Sequence, residues 1–135
     1  MRCLNVFAIV LIAGIFLAAS PQRKIVQDAK VTKVVVVANP KAYSGPAPTT
    51  LEFVGTIFVN KQPATVEYQW ERSDGAVGPR KKLTIRAAGE GVTDTWKLGA
   101  PGEHMRVWEK LHVFVPNEKT SAPAGVSLKF EKKMR

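Results

Sequence analysis

Apolar and polar residues alternate along much of the chain, and the alternation is clearest in residues 64–73. There Tyr68 and Trp70 fall on one side of an extended chain, and the residues that flank them are polar or charged. A period of two predicts a strand with one buried face and one exposed face. The pair Asp74-Gly75 follows at once and predicts a tight turn at the end of this strand.

Short runs of the same kind recur along the rest of the chain and give about seven strands, at spacings of roughly 10 to 15 residues. No stretch has a helical period, so the pattern predicts an all-β sandwich or barrel in which antiparallel pairing is the simplest topology. The glycine-rich residues 88–91 are predicted to form a hairpin turn, and residues 39–49 and 116–125 to form loops. The other predicted strands are residues 31–38, 50–60, 82–87, 92–98, 105–115 and 126–130.

The apolar residues that keep the phase of these strands are the predicted core. They are Phe53, Ile57, Tyr68, Trp70, Leu83, Ile85, Leu111, Val113, Leu128 and Phe130.

Two tryptophans have no settled place in this scheme. Trp108 is out of phase with Leu111, which leaves three explanations open: a bulge resets the phase, another segment covers this face, or an aromatic patch is exposed. Trp96 is open in the same way between core and surface. Other out-of-phase residues could join the same patch: Phe114, Phe58 and Val54.

Residues 1–19 have the three-part plan of a secretory signal peptide, with a positive start at Arg2, an apolar run and small residues at the end. The apolar run is short for a membrane span, although an uncleaved N-terminal anchor is an alternative. Cleavage after Ala19 would leave a polar tether at 20–30 and one domain at 31–135. We therefore expect a secreted, periplasmic or cell-surface protein with no stable membrane span after cleavage.

The net charge and the cysteine content limit the kinds of binding partner and the disulfide bonds that we expect. The chain has 20 Lys and Arg against 11 Asp and Glu, a net charge of +9. Such a charge fits either a solvated basic surface or an anionic partner, and no nucleic-acid motif is present, so nucleic acid is not expected. Cys3 is the only cysteine and lies in the predicted signal, so the domain is predicted to contain no disulfide.

Four stretches resemble a group of bacterial exported immunoglobulin-like domains, similar to PKD and fibronectin type III modules: YSGPAP at 43–48, FVGTI at 53–57, YQWERSDG at 68–75 and TWKLG at 95–99. The resemblance implies an immunoglobulin-like antiparallel β-sandwich outside the cytoplasm. In that group a cysteine often stands at the position of Ala47, so the disulfide that the resemblance would imply is absent. No catalytic residues are established for the group.

The sequence offers little for catalysis, and we predict that the protein is not an enzyme and has no cofactor or metal. His104 and His112 do not form a local zinc-ligand motif, and no serine lies in a G-x-S-x-G elbow. Asp74 could form a carboxylate pair with Glu71 or Glu67, but the simpler explanation is strand-surface charge followed by a turn-forming Asp.

The expected function is a structural or interaction module with a protein or polysaccharide partner in the cell envelope or outside the cell. The alternative is a module that binds carbohydrate or an anionic polymer through exposed tryptophans and basic side chains. A small enzyme or an enzyme inhibitor is a third possibility, which nothing in the long loops singles out. The candidate ligand-binding residues are Trp96, Trp108, Arg80, Lys81, Lys82 and Arg106.

Overall fold

The computed structural model describes residues 28–134, so the predicted signal peptide and most of the predicted tether lie outside the described residues. The described chain forms nine strands and no helix. Their bounds are β1 Val31–Asn39, β2 Ala42–Gly45, β3 Thr49–Val59, β4 Ala64–Arg72, β5 Lys81–Ile85, β6 Gly89–Leu98, β7 His104–Val115, β8 Lys119–Thr120 and β9 Ala124–Phe130.

The strands form two sheets. The smaller sheet has the order β1-β3-β6, and the larger has the order β2-β9-β7-β4-β5, with the short β8 also paired to β7. Alternate residues of both sheets point into one shared core, which is the architecture of an immunoglobulin-like β-sandwich. The predicted fold class is therefore confirmed.

The core forms where the two inward faces meet. Among the residues predicted to be in it, Leu83 is half-buried and packs against the core. The others are buried: Phe53, Ile57, Tyr68, Trp70, Ile85, Leu111, Val113, Leu128 and Phe130.

Gly55 shows how closely the sheets approach. It faces inward from the centre of β3, and a Cβ atom built on it would lie 2.7 Å from Leu111 Cδ2 and 3.1 Å from Trp70 Cη2. These two side chains come from β7 and β4 of the opposite sheet. The missing side chain at Gly55 is therefore what allows the large indole of Trp70 to fit between the sheets.

The structure differs from the sequence prediction in strand number and in one pairing. β2 and β8 lie within segments predicted as loops, which raises the number of strands to nine. β2 pairs with β9 in parallel, whereas all pairing was predicted to be antiparallel. Both strands are too short to show an alternating pattern. β2 also pairs with a strand distant in sequence, whereas β8 folds back on the preceding strand β7.

The predicted turn at residues 88–91 is wrong. Gly89, Glu90 and Gly91 belong to β6 and pair in register with β3. The glycines serve packing here, because a Cβ atom on Gly89 would lie 2.9 Å from the ring of Phe58. The change of direction comes earlier, between β5 and β6.

The last residues of the predicted tether are part of the folded domain. Ala29 is buried in the core, and Lys30 donates its backbone N–H to Asn60 Oδ1 over 2.7 Å. The next residue, Val31, donates its backbone N–H to Asn117 Oδ1 over 2.8 Å, just beyond the end of β7.

The last strand ends at the other end of the sandwich. Phe130 donates its backbone N–H to the carbonyl of Glu103 over 2.9 Å, just before the start of β7. The chain thus enters the described domain at one end of β7 and leaves it at the other end.

Candidate functional site

The outer face of β7 carries a continuous row of aromatic and basic side chains. Because Val107, Leu111 and Val113 are buried, the residues between them point away from the core. We call these outward residues the outer-face row: Arg106, Trp108, Lys110, His112 and Phe114.

The row explains the out-of-phase aromatics of the sequence. Trp108 lies in regular register opposite Gly125 of β9, so no bulge resets its phase, and it is half-buried on the outer face. The pairing of β4 with β7 shifts only near Phe114, where Glu67 faces Val115 and Tyr68 faces Val113.

Cations cover the aromatic rings of the row. Lys110 Nζ lies 5.3 Å from the centroid of Trp108, and Arg80 Cζ lies 3.8 Å from the centroid of Phe114. Both contacts are cation–π pairs, in which the charge lies over the electron-rich face of the ring. Lys110 therefore covers one face of the Trp108 ring, and Phe114 is contacted by both Arg80 and the His112 ring.

His112 ties a loop to the outer face. Its Nδ1 lies 2.8 Å from Glu71 Oε1, and its Nε2 lies 2.8 Å from Glu118 Oε1. The ring also stacks on Phe114, with 4.0 Å between centroids. Lys110 Nζ lies 3.5 Å from Glu71 Oε2, so part of the positive charge of the row is neutralised locally.

The six candidate ligand-binding residues do not form one site. Arg106 and Trp108 belong to the outer-face row, and Arg80 contacts it through Phe114. Lys82 faces Glu67 in register and lies on the same outer face. The two others are turned toward the space between the sheets: Lys81 and Trp96.

One predicted grouping is wrong. Val54 and Phe58 lie on the outer face of β3 in the smaller sheet, so they cannot share a patch with Trp108 on the larger sheet. Residues of two strands can share a surface patch only when both strands expose them on the same face of the same sheet. Alternation gives the phase within each strand but not the sheet to which the strand belongs.

A charged cluster joins the two sheets near the Asp74-Gly75 turn. Arg72 donates from Nε to Glu109 Oε1 over 2.8 Å and from Nη2 to Asp94 Oδ2 over 3.2 Å. Its Nη2 also donates to the carbonyl of Thr95 over 3.0 Å, and its guanidinium carbon lies 4.9 Å from the centroid of Trp96. Arg72 and Glu109 belong to the larger sheet and Asp94 to the smaller one.

Glu109 is the buried member of this cluster, with a relative exposure of 0%. Burial, together with the neighbouring carboxylate of Asp94, raises the pKa of the Glu109 carboxyl to about 8, although Arg72 opposes the shift. Its Oε2 is buried and accepts no hydrogen bond in the described part of the chain. A protonated Glu109 resolves this, because an Oε2–H can donate to Asp94 while Oε1 accepts from Arg72.

The sequence prediction did not single out this cluster. The available signal was the phase of β7: Glu109 falls on the same side as Leu111 and Val113, where an apolar residue is expected. A carboxylate in that phase indicates a buried polar contact. The identity of its partners depends on the pairing of the strands and on the approach of the second sheet.

The same region contains a cavity of about 230 Å³ between β6 and the connection from β4 to β5. Trp70, Arg72, Lys81 and Asp94 line it, together with residues 76–79. The turn before this segment is formed as predicted, because Ala76 donates its backbone N–H to Asp74 Oδ1 over 2.9 Å and Gly75 has a φ of 88°.

Residues 28–134 contain no group of three or more His, Cys, Asp or Glu side chains placed to hold a metal ion. The same residues contain no helix of the length and apolarity needed to cross a membrane.

Fold and site together define an immunoglobulin-like β-sandwich module with an aromatic and basic outer face. No protein family matches this chain, and no curated protein sequence is similar to it. Among solved structures it is similar to the CARDB domain of the PF1109 protein from Pyrococcus furiosus, which was solved in complex with di-metal ions.

The similarity to that domain has a TM-score of 0.51 at 13% sequence identity, and it covers 75% of this chain and 96% of the CARDB domain. At this identity the likeness shows the fold alone. It supports the immunoglobulin-like part of the sequence resemblance.

Proposed function

We propose that this protein is an exported, non-catalytic interaction module that binds a protein partner of the cell envelope or the extracellular space through the outer face of its larger sheet. The observation that carries the proposal is the outer-face row. Aromatic residues combined with arginine are typical of protein interfaces, in which they supply most of the binding energy. The signal-like residues 1–19 support the export part of the proposal.

The covered rings favour a protein partner over a neutral sugar. Lys110 lies over one face of Trp108 and Arg80 over one face of Phe114, so on these faces a sugar ring would have to displace a cation before it could stack. A protein partner can use the rings and cations as they stand, by placing carboxylates beside the cations and apolar groups beside the ring edges.

An anionic polymer is the second candidate, and the positions of three basic residues favour it. Arg106, Arg80 and Lys82 all lie on the outer face of the larger sheet, although they come from separate parts of the sequence. An acidic polysaccharide laid along β7 would meet these charges in succession. Such binding would depend strongly on ionic strength.

The test is co-sedimentation of the purified protein with membrane and cell-wall fractions of its own cells, and separately with insoluble acidic polysaccharide, in low salt and in about 0.5 M salt. The variant is Trp108→Ala. Its matched control is Phe58→Ala, since Phe58 is a half-buried aromatic on the outer face of the other sheet.

Binding to the cell fractions that persists in high salt, falls in Trp108→Ala and is kept in Phe58→Ala would support the proposed module. Binding confined to acidic polysaccharide and lost in high salt would favour the second candidate. An absence of binding to either material, or an equal loss in both variants, would contradict the outer face as the recognition surface.

A further inference from the structure

The cavity beside the charged cluster has an excess of hydrogen-bond donors. Arg72 uses Nε and Nη2 within the cluster, but its Nη1 has no hydrogen-bond partner among the described residues. Lys81 also lines the cavity and forms no ion pair within residues 28–134. Both donors are open to solvent, Lys81 being exposed, so an acceptor group that enters the cavity can bond to both without breaking a contact within the protein.

Trp70, which also lines the cavity, has an indole N–H that is out of reach of bulk water. The residue is 4% exposed, it forms part of the cavity wall, and its Nε1–H is buried with no partner in the described part of the chain. A buried indole N–H usually has an acceptor, because an unpaired buried donor costs free energy. Because this N–H is closed to solvent, it is not a ligand contact, but Trp70 forms part of the cavity wall and its N–H signal reports on what occupies the cavity.

The charges of the cluster leave the cavity positive. Asp94 is paired with Arg72. The carboxyl of Glu109 is protonated at neutral pH because its pKa is raised to about 8. Arg72 and Lys81 then carry two positive charges against the single negative charge of Asp94. This balance selects an anion over a neutral or cationic molecule.

The shape of an anion that fits is also constrained. Since Nε and Nη2 of Arg72 are already bonded, a carboxylate would accept from Arg72 Nη1 with one oxygen and from Lys81 Nζ with the other. The cavity volume of about 230 Å³ is below the roughly 300–1,000 Å³ of sites for drug-sized ligands, so the ligand is small.

We propose that this cavity is a binding site for a small carboxylate-bearing ligand, held by Arg72 Nη1 and Lys81 Nζ, with Trp70 in the cavity wall. The chemistry is shared by simple organic acids and by acidic sugars. The site is separate from the outer-face row, so it does not depend on the function proposed for that row.

The experiment is a titration of the full, ¹⁵N-labelled protein, in which the indole N–H signals of the three tryptophans are followed by NMR. The probes are acetate, glucuronate and, as the neutral counterpart, glucose. The variants Trp96→Phe and Trp108→Phe assign the signals, since each removes one of them. The Trp108 signal then reports on the outer face and the Trp70 signal on the cavity.

A matched pair of lysine variants tests the contact. Lys81 lines the cavity, whereas its neighbour Lys82 lies on the outer face, so Lys81→Gln and Lys82→Gln remove the same charge from opposite sides of one strand. We expect a saturable shift of the Trp70 signal with glucuronate or acetate and none with glucose. Lys81→Gln should weaken binding about five- to tenfold, and Lys82→Gln should leave it unchanged.

The probes also separate the two sources of carboxylate. Tighter binding of glucuronate than of acetate would support an acidic sugar, and the reverse would support a simple organic acid. The proposal is overturned if the Trp70 signal does not move with either acid or moves equally with glucose. It is also overturned if Lys82→Gln weakens binding as much as Lys81→Gln. A shift of the Trp108 signal alone would place acid binding on the outer face and not in the cavity.

Discussion

Arg72 and Glu109 face each other in register between β4 and β7, and the Nε of Arg72 donates to Oε1 of Glu109 over 2.8 Å. Arg72 continues across the interior to Asp94 on the edge strand of the smaller sheet. One side chain thus connects the two sheets at the end of the sandwich that also contains the cavity. Because the pKa of the buried Glu109 carboxyl is raised in this arrangement, we expect the free energy of unfolding to change with its protonation.

The first prediction concerns pH. The pKa of Glu109 is raised from 4.5 to about 8 in the folded protein, so the stability that the protonated carboxyl provides is present below about pH 4.5 and is lost as the pH rises toward 8. Glu109→Gln removes this dependence, since its amide can donate to Asp94 and its carbonyl can accept from Arg72 at any pH. We expect the variant to be more stable than the parent by roughly 2–4 kcal/mol at pH 8 and about equal to it at pH 4.5.

Urea unfolding at pH 4.5, 6 and 8 measures this difference. Glu103→Gln is the control, because Glu103 is exposed and has no ion-pair partner within residues 28–134. A stability difference between Glu109→Gln and the parent that stays constant across the three pH values would contradict the protonated state of Glu109.

The second prediction concerns Arg72. Arg72→Met keeps an unbranched side chain but removes the donors to Glu109, Asp94 and the carbonyl of Thr95. Since the carboxyl of Glu109 is buried, we expect a loss of about 2–4 kcal/mol in the free energy of unfolding. Chemical denaturation measures it, with exposed Arg86→Met as the control. An equal, small effect in both variants would show that the link between the sheets contributes nothing measurable.

The third prediction concerns the contact between the sheets at Gly55. In Gly55→Ala the new methyl group would meet Leu111 at 2.7 Å and Trp70 at 3.1 Å, so these side chains must shift. We expect a destabilisation of about 1–3 kcal/mol. Gly91→Ala is the control, since its nearest neighbour, the carbonyl of Gly55, is at an ordinary 3.8 Å. Thermal unfolding compares the two variants. An equal loss of stability in Gly91→Ala would indicate a general effect of replacing a strand glycine and would contradict overpacking at Gly55.

The fourth prediction concerns the turn after β4. Gly75 has a φ of 88°, a conformation that other L-residues rarely adopt, and no atom lies within 4 Å of a Cβ built on it. Gly75→Ala should therefore destabilise the domain by about 1 kcal/mol through backbone strain alone. Gly78→Ala, in the same segment but without a positive φ, should change stability by less than about 0.5 kcal/mol. Equal midpoints of thermal unfolding for the two variants would contradict the proposed backbone strain of an alanine at position 75.

Alternation was sufficient to predict the sandwich and the inward residues of β4, because each strand buries one face. It could not predict the parallel pairing of Tyr43 with Leu128, which joins residues distant in sequence. It also misplaced Gly89 and Gly91, since a glycine that makes room for Phe58 looks the same in sequence as one that turns the chain. Glu109 is the most informative omission, because its phase was visible but its partners were not.

The opposite positions of Val31 and Phe130 have a mechanical consequence. A pull applied between them acts along β1 and β9, parallel to the strands and across the hydrogen bonds that join β1 to β3 and β9 to β7. In this shear geometry the bonds of a strand are loaded together and do not open one after another. Stretched between two anchors, the domain would resist extension as a stiff unit, which single-molecule force measurements would detect as a high unfolding force.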